Sequence, residues 1–289
     1  MRVALAVDIG GTKVAAGLVD DSGRLLVRGD VPTPATSDPE AVWAAVAEAV
    51  DDVRSGDAAV CGVGCGGPMR DGLVSPLNIP AWRDFPLRAR LLDFTSLPVA
   101  VDNDAKALAL GEGWVGAAAG ERNFIAMVVS TGVGGGIVLD GRLLDGAAGN
   151  AGHIGHVIVE PDGRVCGCGA RGCVEAEASG TAIRAITGGA PKDASTDVRL
   201  RTGTLVGRAI ASVANLLDLR LAVVAGSVAL GYGEPFFRAA QQEIDKRARL
   251  SFSGGTVVRP GGLGADGPLI GAAAVGFRYL AGDGSDLQR

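Results

Sequence analysis

The sequence predicts an α/β fold of two lobes, and three observations carry that prediction. Two units of apolar strand, glycine-rich turn and apolar strand stand in different halves of the chain, near residues 3–19 and 123–139. Strands and amphipathic helices alternate after each of them, the pattern of a helix-covered sheet with its site at the strand ends. The chain has 289 residues, beyond the usual size of one domain, and 47% of them are apolar, enough for a large core.

The elements follow in order. Val3 to Ile9 is an apolar run with Asp8 near its end and reads as a buried strand. Gly10-Gly11-Thr12-Lys13 forces a turn, 14–19 reads as a second strand, and Asp20-Asp21-Ser22-Gly23 turns the chain into a third strand at 24–29. Residues 39–53 have helical apolar spacing through Val42, Val46, Ala49 and Val50, with Ser37 or Asp38 as cap. Strands are expected at 58–63 and 98–101, the second ending in Asp102-Asn103-Asp104, and a helix starts at 105. The second half is read as strand 123–129, loop 130–136, strand 137–139, helix 202–217, strand 221–225, helix 234–249 and a C-terminal helix from Ile270. The expected division is a smaller lobe of 1–105 with the C-terminal helix 270–289, and a larger lobe of 106–269.

Bulk properties exclude several classes. Net charge is −5 and no basic run occurs, so no nucleic-acid partner is expected, because a stable footprint needs clustered Lys and Arg. No apolar stretch reaches the roughly 20 residues of a membrane span, and Asp8 comes too early for a signal peptide. A cytoplasmic location is therefore expected, and there five cysteines point to metal binding or buried thiols instead of disulfides.

Five groups of residues carry chemistry. In Asp8-Ile9-Gly10-Gly11-Thr12-Lys13, glycines let backbone N–H groups approach a phosphate, Thr12 adds a hydroxyl, Lys13 adds a cation, and Asp8 suits Mg²⁺ held through water. A plain hairpin turn fits the same residues. The second loop, Ser130-Thr131-Gly132-Val133-Gly134-Gly135-Gly136, lies between two strands. It is neither a Walker A loop nor a dinucleotide fingerprint, since no Gly-Lys-Ser/Thr and no helix follows. Gly226, after the strand at 221–225, leaves room for a flat ring. His156, Cys166, Cys168 and Cys173 form His-x9-Cys-x-Cys-x4-Cys, four ligands that can close a tetrahedral structural Zn²⁺ site. Cys61 and Cys65 read as small core residues. Asp102-Asn103-Asp104 offers a carboxylate for a reacting hydroxyl and an amide for sugar hydroxyls, although helix capping is the plainer reading.

Taken together, these motifs resemble the ROK family of repressors and sugar kinases. The resemblance covers essentially the whole chain. It is most specific in Gly155-His156, Cys166-Gly167-Cys168-Gly169 and Gly172-Cys173-Val174-Glu175, and next in 8–13 with 131–136. It implies an actin-like (ribonuclease H-like) ATPase fold with ATP in the cleft between the lobes, and commonly a dimer. Asp8, Gly10, Gly11, Thr12, Lys13, Thr131, Gly132, Gly134, Gly135 and Gly226 then fall to ATP. The resemblance implies that Asp104 is the catalytic base and that Asn103 and Glu175 hold sugar hydroxyls. It implies that His156 both ligates zinc and touches the sugar, and that Asn78 belongs to a loop covering it.

One position departs from the family pattern Glu-x-Gly-His: His153 stands where the Glu would be. An ionised carboxylate only accepts hydrogen bonds, whereas a neutral imidazole does either, so the sugar recognised can differ from glucose. Gly152-His153-Ile154-Gly155-His156 is similar to bacterial N-acetylmannosamine kinases, while Asn78-Ile79-Pro80-Ala81-Trp82-Arg83 looks like glucokinases. The expected activity is transfer of the γ-phosphoryl group of ATP to the 6-hydroxyl of glucose or a related hexose, with N-acetylmannosamine or another hexosamine as the alternative. A sugar-responsive repressor is disfavoured, because those members carry an extra N-terminal module and the phosphate turn here starts at Asp8. An actin-like assembly ATPase would leave the zinc loop unexplained.

Overall fold

The computed structural model describes residues 1–54 and 56–282; the expected end of the C-terminal helix, 283–289, lies outside the described residues. The chain forms two compact units. The first comprises Met1–Gly116, Asp145–Ala151 and residues 263–282, and the second Ala117–Leu144 and Gly152–Gly262. The boundary expected at 105 therefore moves to 116. The helix that follows Asp104 packs along the C-terminal helix and belongs with the first sheet.

In the first unit, β1 (Val3–Ile9), β2 (Lys13–Asp20) and β3 (Leu25–Pro32) form an antiparallel meander, followed by α1 (Pro39–Asp51). Then come β4 (Ala58–Cys65), a small ribbon of β5 (Met69–Arg70) and β6 (Leu73–Val74), α2 (Leu87–Thr95), β7 (Val99–Asn103) and α3 (Asp104–Val115). The sheet order is β3-β2-β1-β4-β7, with β1, β4 and β7 parallel. Side chains alternate across a strand, and β1 uses this to sort sizes. Val3, Leu5, Val7 and Ile9 pack with Val42, Val46 and Val50 of α1. Ala4 and Ala6 face the other way, under Leu269, Ala272 and Ala273 of the C-terminal helix, Gly267–Leu280. Small residues on that face let the helix lie close. Burying each large aliphatic side chain contributes about 1.5–3 kcal/mol.

The second unit repeats the plan. β8 (Phe124–Val129), β9 (Val133–Leu139) and β10 (Arg142–Leu143) are antiparallel; α4 (Val174–Ala178), α5 (Gly180–Thr187) and α6 (Thr196–Leu217) follow. β11 (Leu221–Ala225), α7 (Ser227–Tyr232), α8 (Glu234–Arg247) and β12 (Val257–Pro260) complete it. The order β10-β9-β8-β11-β12, with β8, β11 and β12 parallel, matches that of the first sheet.

Two elements begin four or more residues earlier than expected. α6 starts at Thr196 instead of 202, because Ser195 caps it and a polar first turn carries no apolar period. β9 starts at Val133 instead of Ile137, so Gly134, Gly135 and Gly136 are strand residues paired with Val128, Met127 and Ala126.

Candidate active site

In the first unit the parallel strands deliver the carboxylates. Asp8 of β1 lies opposite Gly64 of β4, and Gly64 lies opposite Asp102 of β7, so the C-terminal ends of three strands converge. A Cβ on Gly64 would stand 3.5 Å from Asp8 Oδ1 and 3.6 Å from Asp104 Cα, so the two acids flank this glycine. β7 ends and α3 begins between Asn103 and Asp104. Asn103 Oδ1 accepts from the Ala105 N–H at 3.0 Å, which is the capping role, and its Nδ2 is turned toward Gly67. Asp104 is exposed as the first residue of α3.

The first glycine turn closes with the Gly10 N–H on Lys13 O at 3.0 Å. Gly11 lies against Asn78, where a Cβ would stand 2.7 Å from Asn78 O; no larger residue fits without moving that loop. Asn78 Oδ1 in turn faces Gly66, so Asn78 bridges two turns near the acids. Thr12 is exposed, and Lys13, the first residue of β2, pairs with Asp30 at 3.1 Å. Burial, reinforced by Asp104, pushes the Asp8 carboxyl up to about 7. Cys65, buried beside the same acids, is a core thiol pushed well above its usual range by burial.

Beneath this edge lies a network the sequence did not announce. Lys106 of α3, only 2% exposed, donates to Asp145 at 2.7 Å and Gly149 O at 3.1 Å, and pairs with Asp102 at 3.0 Å. Its three protons therefore meet three acceptors. Arg278 adds a second contact to Asp145 at 3.3 Å. Burial raises the Asp145 carboxyl, but Lys106 and Arg278 outweigh that and hold it below the usual range. The network ties 145–151 to the strand end that carries Asn103. Lys106→Met strands the buried Asp102 carboxylate and leaves the half-buried Asp145 with Arg278 alone, and is expected to cost about 3–5 kcal/mol, lowering the melting midpoint by about 10 °C. A midpoint within a degree or two of the parent would show that the lysine holds nothing.

In the second unit the turn is 130–132, closed by the Ser130 N–H on Gly132 O at 3.0 Å, with Thr131 exposed. Gly134 continues as strand. Gly135 is glycine because Ile154 and Gly152 O occupy the space of its Cβ. Gly226 adopts φ 97° at the start of α7 with its missing side chain against Val129, and the neighbouring Ser227 hydroxyl meets that of Ser130 at 2.9 Å. Gly180 and Thr181 donate backbone N–H groups to Ser130 O (2.7 Å) and Thr131 O (3.2 Å). These supports were missed, since single Gly, Ser and Thr residues carry no pattern.

Glu175, in the first turn of α4, accepts from the Val133 N–H at 3.1 Å through Oε2. His153 and His156 bracket the 3₁₀ turn Ile154–His156, with ring centroids 6.1 Å apart. The ligand atoms of His156, Cys166, Cys168 and Cys173 all lie within 4.8 Å of one another. Cys166 Sγ is 3.7 Å from His156 Nδ1, and Cys168 Sγ is 3.7 Å from Cys173 Sγ. Tetrahedral zinc with bonds of about 2.3 Å sets sulfurs about 3.8 Å apart, so these residues fit the metal. His156 turns Nδ1 to the cluster and keeps Nε2 for another partner. Glu177 braces the loop, accepting from the Arg164 N–H at 2.6 Å and from Arg201 at 2.6 Å.

The sequence profile of the ROK family matches residues 4–277. The chain belongs to the ROK family. This ROK chain is 42% identical over 247 residues to a curated N-acetylmannosamine kinase of Citrobacter koseri, covering 79% of the chain and 84% of that protein. It is 32% identical over 306 residues to the glucokinase of Thermotoga maritima, covering 94% and 96%. Among solved structures, a ROK glucokinase from Streptomyces griseus in complex with glucose and AMPPNP has a TM-score of 0.83 at 31% identity, covering 96% of this chain and 99% of that one. The fold is the actin-like ATPase fold of the ROK sugar kinases.

Proposed function

We propose that this ROK protein is an ATP-dependent hexose kinase that phosphorylates the 6-hydroxyl of glucose or a close relative, acting in the cytoplasm as a dimer. One observation carries the reading: an exposed carboxylate, Asp104, stands at a strand end beside Asp8, where a glycine turn also closes. Family membership and the glucose- and AMPPNP-bound neighbour support it.

In this reading Asp104 takes the proton of the attacking hydroxyl. The turn at Gly10-Gly11-Thr12, through the N–H groups of Gly11 and Thr12, and the turn at Thr131-Gly132 offer backbone N–H groups to phosphates, with Lys13 at the edge of the first and Gly226 beside the base. Asn78, Asn103 through Nδ2, His153, His156 through Nε2 and Glu175 through its second oxygen hold sugar hydroxyls. Asp8 suits Mg²⁺: the carboxylates of Asp8, Asp104 and Asp30 outnumber the two cations near them, Lys13 and Arg28, an excess of negative charge that a divalent cation neutralises. When bound, that ion supplies charge neutralisation on the transferring phosphoryl group. Zinc in the His156/Cys166/Cys168/Cys173 cluster supplies a crosslink in a loop with little other packing.

A second reading, N-acetylmannosamine as acceptor, is favoured by His153 and by the Citrobacter relative. ADP release across glucose, mannose, glucosamine, N-acetylglucosamine and N-acetylmannosamine separates the two. His153→Glu is expected to move the preference toward glucose by roughly tenfold, the scale of one altered polar contact. An identical ranking in parent and variant would remove His153 as selector, and no sugar-dependent ADP release would remove the kinase reading.

A further inference from the structure

Val133, the residue at which the second glycine turn becomes β9, is held from both sides by residues next to metal ligands. Its N–H donates to Glu175 Oε2 at 3.1 Å, and Glu175 lies two residues after Cys173. The missing side chain of Gly155 makes room for Val133 O, and Gly155 immediately precedes His156. The same carboxylate oxygen lies 3.1 Å from where a Cβ on Gly132 would stand. The two strips are themselves joined, the Val174 N–H donating to Val157 O at 3.0 Å and Ile158 bridging to Cys173. The first and last ligands of the cluster thus frame a clamp, and the clamp closes on the turn.

We infer that Glu175 is a positioning residue for the nucleotide turn, and that the metal cluster sets the geometry of 131–134 through Glu175 and Gly155 as well as shaping a sugar wall. This rests on the kinase reading and adds to it a link between metal, acceptor side and phosphate turn. A backbone N–H that loses an ionised acceptor forfeits a charge-assisted bond. The turn is then free to leave the conformation that this bond holds.

The experiment measures nucleotide binding without any sugar, so a role in sugar recognition does not enter. Dissociation constants for ADP and a non-hydrolysable ATP analogue are taken by calorimetry for the intact protein, Glu175→Ala, Glu175→Gln and intact protein stripped with a chelator. Glu175→Ala and the stripped protein are expected to bind roughly tenfold more weakly, the scale of a hydrogen bond to a charged group. Glu175→Gln, whose amide oxygen still accepts from Val133, is expected to recover most of the loss. Nucleotide affinity within twofold of the parent in either Glu175→Ala or the stripped protein would overturn the inference and leave the kinase reading intact. An intact protein that binds no nucleotide would overturn both. Should Glu175→Ala fail to fold, amide exchange at 131–134 in the intact protein decides the matter: faster exchange on chelation supports the clamp, and unchanged exchange overturns it.

Discussion

Asp104→Asn is expected to lower kcat about 10²–10⁴-fold, the usual worth of a positioned general base, while sugar and nucleotide dissociation constants stay within a few-fold. The substitution isolates chemistry from folding. The Ala105 N–H donates to Asp104 Oδ1 at 2.8 Å, and an asparagine oxygen accepts it equally well. The cap on α3 comes from Asn103, which is untouched. What disappears is the capacity to receive a proton, together with a negative charge that acts on Asp8. Steady-state ADP release with the preferred sugar, beside calorimetric binding, reads the two effects separately. A kcat within tenfold of the parent would assign the proton to another group.

Asp8→Asn is expected to act in opposite directions on activity and stability. Loss of the carboxylate removes the proposed Mg²⁺ anchor, and kcat/KM should fall by about two orders of magnitude or more, since charge neutralisation is a large part of phosphoryl transfer. In the metal-free protein the same change stabilises. Asp8 titrates at 3.8 when unperturbed and at about 7 in the folded protein, because burial and then Asp104 disfavour its charge. A raised folded-state value means that the neutral carboxyl contributes stability fully below about pH 4. That contribution is lost as pH rises toward 7 and stays lost above it. Asparagine carries no such penalty. Asp8→Asn should therefore melt several degrees higher than the parent at pH 8, a gain of about 1–2 kcal/mol after allowing for the exposure Asp8 retains, and the difference should vanish near pH 4. Parallel melting curves at every pH, taken with chelator, would show that Asp8 carries no buried charge.

Legibility followed signal length. β1 and β2 were readable as continuous apolar runs and α1 from a period-3.6 pattern, each lasting six or more residues. The cysteine–histidine spacing was readable because four ligand types within a short loop have few other uses. β9 was misread at its start because glycine has no hydropathy pattern, yet its backbone pairs like any other. Four short or weakly patterned helices, α2, α4, α5 and α7, were missed, since one or two turns leave too little period to detect. The bond between Val133 and Glu175 joins residues 42 apart, and that of Lys106 to Asp145 residues 39 apart. No local pattern encodes a meeting of that kind. Lys106, inside an alanine-rich helix, would pass for an ordinary surface lysine. Asn103 shows why that tripeptide supported both readings: its oxygen caps α3, and its nitrogen takes no part in the cap.

The first sheet is finished by the helix Gly267–Leu280. Ala4, Ala6 and Val60 are covered by Leu269, Ala272 and Ala273, more than 200 positions later. During synthesis this face waits, solvated, until Gly267–Leu280 has emerged, while residues 117–262, made before that helix, include all five strands of the second sheet. Vectorial folding thus runs inside out: the middle of the gene matures before its beginning, and the opening hairpin depends on late-arriving sequence to shield it from aggregation.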